Sequence, residues 1–246
     1  LFGIGVSSVL LPSAASAVNE SNTDKLLNHY YDSFKFMCYF IIPVTVFSVI
    51  LDKEIIDLVY QRNGEFNYKT AAAFKYYIVG LMAYAGANIT SQIYFSMKDT
   101  FSPVKYSVIN MIINLTLNIL IVLIWTDENT KFAGLSLSNS ISGFIYLGLI
   151  IYNLKKKINE LKYSFMFNYV LKILSISLLS SIVLYVIHFY SKFSFDTGIL
   201  NRIMNFSVPA FSGILAYFIL TMIFKVELSQ KLWYHIHTKF LKYISG

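Results

Sequence analysis

Charge is what this sequence has least of. Only 13% of its 246 residues are Asp, Glu, Lys or Arg, against about 25% for a soluble domain. With 56% hydrophobic residues and a mean hydropathy of +0.58, the deficit excludes a soluble enzyme. A single cysteine, Cys38, excludes disulfides within the chain and, inside an apolar run, reads as packing. Acid/base pairs are missing as well. Asp52, Glu54, Asp57, Glu65, Asp127, Glu128 and Asp196 form no catalytic or metal-binding spacing, and His29 and His188 stand alone. No catalytic residue, no metal site and no nucleic-acid partner is expected. The net charge of +7 is assigned to span ends, where Lys and Arg orient a membrane protein and meet anionic lipid.

What is present is apolar length. Seven runs stand out: 1–18, 34–51, 70–97, 104–125, 132–152, 165–190 and 203–224. A helix needs about 20 mostly apolar residues to cross a bilayer, and a spanning backbone must satisfy its own hydrogen bonds, so the runs are read as helices. The first run opens without an initiator Met or a preceding basic segment, so it is expected to be truncated rather than a signal peptide. The fold expected is an all-α polytopic membrane protein of about seven transmembrane helices.

The plan of the chain is clearest at Tyr94–Pro103, a polar elbow between two spans. Pro103 suits the first turn of the outgoing helix, and Asp99, Thr100 or Ser102 can cap its free amides. Alternate span ends on the elbow's side gather thirteen of the 20 Lys and Arg residues, Lys155, Lys156 and Lys157 among them. That side is therefore cytoplasmic, and the loop 52–69, part of it expected on the membrane surface, is exported. Four segments follow: a bundle over 1–152, a basic cytoplasmic linker over 153–164, a two-helix hairpin over 165–224 and a tail over 225–246. In the tail, Trp233, Ile236, Phe240 and Ile244 share one helical face, and Lys231, His235, Lys239 and Lys242 another. Such a helix lies flat in the interface, and the C-terminus is cytoplasmic.

Polar residues within spans should face protein or water. Asn110, Asn114 and Asn118 form one stripe. Asn88, Ser91, Gln92 and Ser96 form a second, and the fifth run carries Ser136, Ser138, Asn139, Ser140 and Ser142. Two readings stay open: hydrogen bonding between closely packed helices, or a monovalent-cation site to which Asn114, Asn118 and Asn139 lend carbonyl oxygens. Pro43 and Pro209 lie inside spans; each frees a backbone carbonyl and is a candidate hinge. Gly3-Ile4-Gly5 is half of a dinucleotide fingerprint without the strand–turn–helix context that would support it. Gly3, Ser7 and Ser8 are candidates to line a cavity.

Four segments carry a family resemblance: Gly3-Ile4-Gly5-Val6-Ser7-Ser8-Val9-Leu10-Leu11-Pro12-Ser13, Leu58 through Phe66, the elbow from Tyr94 to Lys105, and Ala133-Gly134-Leu135-Ser136-Leu137-Ser138. In order and spacing the chain resembles the C-terminal half of the MurJ (MviN) lipid II flippases of the MOP exporter superfamily. The resemblance implies a fourteen-helix fold of which this chain holds the last seven spans. It implies translocation of an undecaprenyl-pyrophosphate-linked peptidoglycan precursor by alternating access, from the inner to the outer leaflet of the bacterial cytoplasmic membrane. No cofactor is implied beyond a coupling cation, and Asn118 stands where some members place a carboxylate. The substrate-gripping Arg residues would precede Leu1, leaving Gly3, Ser7 and Ser8 as the cavity's share here. An apolar groove on the last two spans would hold the lipid tail, with Leu179, Val183, Ile214 and Phe218 lining it. Membrane lipids and cell-wall synthesis proteins are the implied partners. The competing readings are another MOP exporter carrying O-antigen-type lipid-linked sugars, and a membrane scaffold of cell-wall synthesis.

Overall fold

Helices are all that a hydrocarbon-embedded backbone of this pattern permits, and helices are what forms. The computed structural model of the chain describes residues 2–60, 65–125, 131–190, 199–231 and 233–234, with side chains from residue 9 onward except for 65–67. Eight helices follow in order: α1 Phe2–Asn19, α2 Thr23–Ile50, α3 Asp52–Tyr60, α4 Glu65–Ser96, α5 Phe101–Ile124, α6 Lys131–Lys157, α7 Tyr163–Tyr190 and α8 Ile199–Ile223. No strand occurs among the described residues. By length and composition, α2, α5, α6, α7 and α8 can each cross a membrane. At 32 residues, α4 rises roughly 48 Å at 1.5 Å per residue, beyond the roughly 30 Å hydrocarbon core.

The centre is α2, which packs on α1, α4 and α7. Tyr30, Met37, Cys38 and Ile42 of α2 are buried against Ile89, Ile93 and Tyr94 of α4 and Ile173 and Ile176 of α7. Helix α6 lies between α4 and α5, and α7 pairs with α8. Helix α5 touches little but α6, and Met111, Leu115 and Leu123 stand exposed along it. In lipid that apolar face needs no protein cover, because hydrocarbon tails are as apolar as Leu.

Where helices approach closely, small residues make it possible. Ser177 donates to the Ile173 carbonyl at 2.8 Å and Ser180 to the Ser177 carbonyl at 2.9 Å. Their hydroxyls are thereby satisfied within α7, and the serines act as small apolar residues. Gly213 of α8 lies against Leu184 of α7, where an added Cβ would sit 2.8 Å from Leu184 Cδ1.

Three expectations about the ends of elements change. The basic triplet Lys155–Lys157 belongs to the last turn of α6, where positive charge suits the helix dipole, so the non-helical connection to α7 is 158–162 rather than 153–164. Its Ile158 and Leu161 are buried. The loop expected over 52–69 contains α3, packed on α4 and α8 with Ile56 buried, and the first turns of α4. Helix α2 begins ahead of its apolar run, at Thr23, because Asn22 accepts the Lys25 amide at 2.9 Å as an N-cap.

Candidate functional site

Three structures account for the polar and proline-bearing spans. The first is a seam joining α4, α5 and α6. Asn118 Nδ2 donates to Asn114 Oδ1 at 3.0 Å, Asn114 Nδ2 donates to Ser142 Oγ at 3.1 Å, and Ser138 Oγ donates to Asn118 Oδ1. On the α4 side, Tyr84 donates to Asn139 Oδ1 at 3.0 Å, and Ser140 Oγ donates to the Tyr76 carbonyl at 2.5 Å. Gly80 permits that approach: a Cβ there would lie 2.9 Å from the Ser140 Cα. The three asparagines grouped by sequence are thus divided. Asn114 and Asn118 meet Ser138 and Ser142, while Asn139 turns to Tyr84. Every one of their side-chain carbonyls accepts a hydrogen bond from another side chain, an arrangement suited to interhelical packing. Asn110 Oδ1 is buried without a partner among the described residues.

One end of this seam is the elbow. Asp99 Oδ1 accepts the Ser102 amide at 2.9 Å, and Oδ2 accepts the Ser102 hydroxyl at 2.6 Å and pairs with Lys157 at the end of α6. Of the three candidate caps, Asp99 is the one that acts; Thr100, in the N-cap position, makes no side-chain cap. Tyr94 donates to the Ile150 carbonyl at 3.0 Å. Burial pushes the Asp99 carboxyl upward, but the hydrogen bonds from Lys157 and Ser102 outweigh it and hold the group at about 2. Lys98 takes the turn at φ 61°.

The second structure is an apolar cleft of about 370 Å³ between α2 and α8, with α3 at one end. Pro43, Val44 and Phe47 line one wall, and Phe206, Ile214 and Phe218 the other. Its floor is a clasp. Pro43 has no amide to give the Tyr39 carbonyl four residues back. The Tyr217 hydroxyl of α8 donates to that carbonyl instead, at 2.8 Å. The Tyr39 hydroxyl lies 3.4 Å from Thr221 Oγ1, and the two tyrosine rings are 5.4 Å apart. Of the four residues assigned to a tail groove, Ile214 and Phe218 line this cleft. Leu179 and Val183 stand exposed on α7, 46% and 41% accessible, because the α7–α8 contact itself is closed by Leu184 and Gly213. The apolar cleft thus takes its walls from α2 and α8, with two of the four expected residues in it. Of the two candidate hinges, Pro43 lines it, and Pro209 is buried in α8.

The third is a charged fastening just after α8. Glu227, just after α8, pairs with Lys35 of α2 at 3.3 Å and with Lys231 at 2.8 Å. Hydrogen bonds from Lys231 and then Lys35 lower its pKa. Ser229 Oγ, buried, donates to the Thr221 carbonyl at 3.1 Å, so the tail is docked on the bundle at its start. Residues 235–246, which carry most of the expected amphipathic helix, lie outside the described residues, as do the side chains of Gly3, Ser7 and Ser8. Sequence reasoning missed Tyr84, Tyr39 and Tyr217. The signal for the last two is the carbonyl that Pro43 leaves free, which demands a donor without saying which helix supplies it.

Comparison with known proteins follows the same architecture. The family model described as lipid II flippase MurJ matches residues 1–200. A probable lipid II flippase MurJ of Rickettsia prowazekii is 22% identical over 231 residues, covering 92% of this chain and 44% of that protein. Its counterpart in Borreliella burgdorferi is 26% identical over 244 residues, covering 96% and 45%. A solved structure of lipid II flippase MurJ in an inward closed conformation shares the fold, with a TM-score of 0.73 at 24% identity over 93% of this chain and 44% of that one. The chain spans about half the length of the relatives it matches. By the match across all but its last span, the chain belongs to the MurJ lipid II flippase family.

Proposed function

We propose that this chain forms the C-terminal lobe of a lipid II flippase of the bacterial cytoplasmic membrane. Its cargo is an undecaprenyl-pyrophosphate-linked peptidoglycan precursor, moved from the cytoplasmic to the outer leaflet. The observation that carries the reading is the family match over residues 1–200, laid on a multi-pass helical lobe.

Physical chemistry supplies the reason for such a protein. A pyrophosphate head cannot enter hydrocarbon unaided, because burying an unpaired charge costs many kcal/mol. A cavity between two lobes that opens to one side at a time removes the barrier while the lipid tail stays in the bilayer. No bond is made or broken, so the activity is transport rather than catalysis. Alternating access needs rigid parts and yielding parts. The α4–α5–α6 seam, closed by side-chain hydrogen bonds, suits the first role. The α2–α8 contact, apolar and open above its clasp, suits the second. The excess of Lys and Arg on the elbow's side supports a cytoplasmic elbow and C-terminus.

The test is replacement. In a bacterium depleted of its own flippase, the full-length gene product should restore growth and the appearance of lipid II on the outer leaflet. Normal membrane expression with neither outcome would overturn the proposal.

A further inference from the structure

Where α2, α3 and α8 meet, the apolar cleft adjoins a polar cavity of about 450 Å³ lined by Lys53, Glu54, Asp57, His188, Arg202 and Asn205. Their linings are sequence neighbours along both walls. Ile55 lines the cleft next to Glu54 on α3, and Phe206 lines it next to Asn205 on α8. Arg202 is one turn before Phe206, on the same face of α8. His188 Nε2 lies 3.5 Å from Glu54 Oε1.

We propose that the paired cavities bind one zwitterionic glycerophospholipid of the phosphatidylethanolamine class. Its phosphate meets Arg202 and Lys53, its ammonium meets Glu54 and Asp57, and one acyl chain lies in the cleft. The polar cavity carries both signs in near balance, which fits a head bearing one charge of each sign. A purely anionic head would leave the two carboxylates facing it with no cation of the ligand to meet them. The dimensions select the chain. Cleft residues on α8 run from Phe206 to Phe218, twelve residue steps or roughly 18 Å along the axis. That is close to the roughly 15 Å depth of one leaflet, half of the hydrocarbon core. The Tyr39–Tyr217 clasp closes the floor at that depth, so the cleft holds a chain of leaflet length and stops short of the much longer polyprenyl anchor. The proposal uses the flippase reading only to name the leaflet, which is the outer one when α3 is exported.

The experiment is photolabelling of the purified full-length gene product in micelles, using phosphatidylethanolamine with a photoactivatable acyl chain and mapping the labelled peptides. Label should concentrate on residues 44–51 and 206–218. Unlabelled phosphatidylethanolamine should compete, with phosphatidylglycerol at least tenfold weaker and free phosphoethanolamine without effect. Arg202→Gln and Glu54→Gln should each cut cleft labelling at least fivefold at an unchanged thermal midpoint. If either lowers the midpoint, Ile214→Trp carries the test by filling the cleft without touching the charges, and should cut labelling as much. Label spread evenly onto the Met111–Leu123 face of α5, equal competition by phosphatidylglycerol, or full labelling in Ile214→Trp would overturn the site. Labelling requires no translocation, so a failed growth rescue leaves this result standing.

Discussion

Two helix contacts in this chain are made of opposite materials. Between α4, α5 and α6 the contact is polar and tight, with Asn114, Asn118, Ser138 and Ser142 bonded in sequence and Gly80 set against Ser140. Between α2 and α8 the walls are apolar and stand apart, meeting at the clasp of Tyr39, Tyr217 and Thr221. In water both would be driven together by apolar burial. In a bilayer that force is absent, because lipid solvates an apolar wall as well as protein does. Separating the polar seam uncovers unpaired hydroxyls and amides in hydrocarbon, whereas widening the cleft uncovers only methyls and rings. The same fold therefore contains one contact that resists opening and one that yields.

The largest expected effect tests that asymmetry directly. Gly80→Leu places a Cβ 2.6 Å from Ser140 Oγ and 2.9 Å from the Ser140 Cα. Since backbone cannot move aside as a side chain can, the cost should reach the upper end of the ~1–3 kcal/mol typical of overpacking. Ala210→Leu adds one carbon fewer, but to the open cleft, and should change stability by less than ~0.5 kcal/mol. Denaturant unfolding of the full-length gene product in micelles would measure both. Equal losses at the two sites would erase the distinction between the contacts.

A smaller effect probes the clasp. Tyr217→Phe leaves the Tyr39 carbonyl without the donor that replaces the amide missing at Pro43, and should cost ~1–2 kcal/mol, within the penalty for an unpaired buried acceptor. Pro43→Ala restores an amide four residues on from Tyr39. The double variant Pro43→Ala/Tyr217→Phe should therefore be more stable than the sum of the single changes allows. Strict additivity would mean that Tyr217 and Pro43 do not share that carbonyl.

Much of this architecture is legible from apolar periodicity, because a lipid-facing span has to advertise itself. The seven runs locate α1, α2 and α4 through α8, and the elbow is visible from its Asp99 and Pro103. What is not legible is direction around a helix axis. Asn114, Asn118 and Asn139 look like one set in a list of polar residues. Position 139 falls about 100° around α6 from Ser138, enough to aim it at Tyr84 rather than at α5. Leu179 and Val183 lie outside the α2–α8 cleft for a related reason. In an apolar span every face is greasy, so composition cannot say which face meets protein and which meets lipid. The short helix α3 hid inside an expected loop because nine residues are too few to span and one of its two docking partners, α8, lies far away in sequence.

The smallest expected effect lies at the elbow end of the polar seam, where Asp99 joins the elbow to Lys157. The pair is partly exposed, 41% at Lys157 and 17% at Asp99, so removing one partner should cost about 1 kcal/mol, the upper end for surface pairs, and Asp99→Asn should be only mildly destabilised at neutral pH. Its pH dependence is more telling than its size. An ordinary Asp titrates near ~3.9, and Asp99 is held at about 2 by Lys157 and Ser102. A carboxylate depressed on folding contributes its full stabilisation above the ordinary value and loses it as pH falls through the folded one. The gap between wild type and Asp99→Asn should thus be present at pH 7, shrink below roughly pH 4 and close near pH 2, with wild type losing stability toward the variant. A gap that stays constant down to pH 2 would show that the charge on Asp99 does not hold the elbow. The hydrogen bond from Tyr94 to the Ile150 carbonyl would then have to fasten α4 to α6 at that end, and Tyr94→Phe would become the change that loosens it.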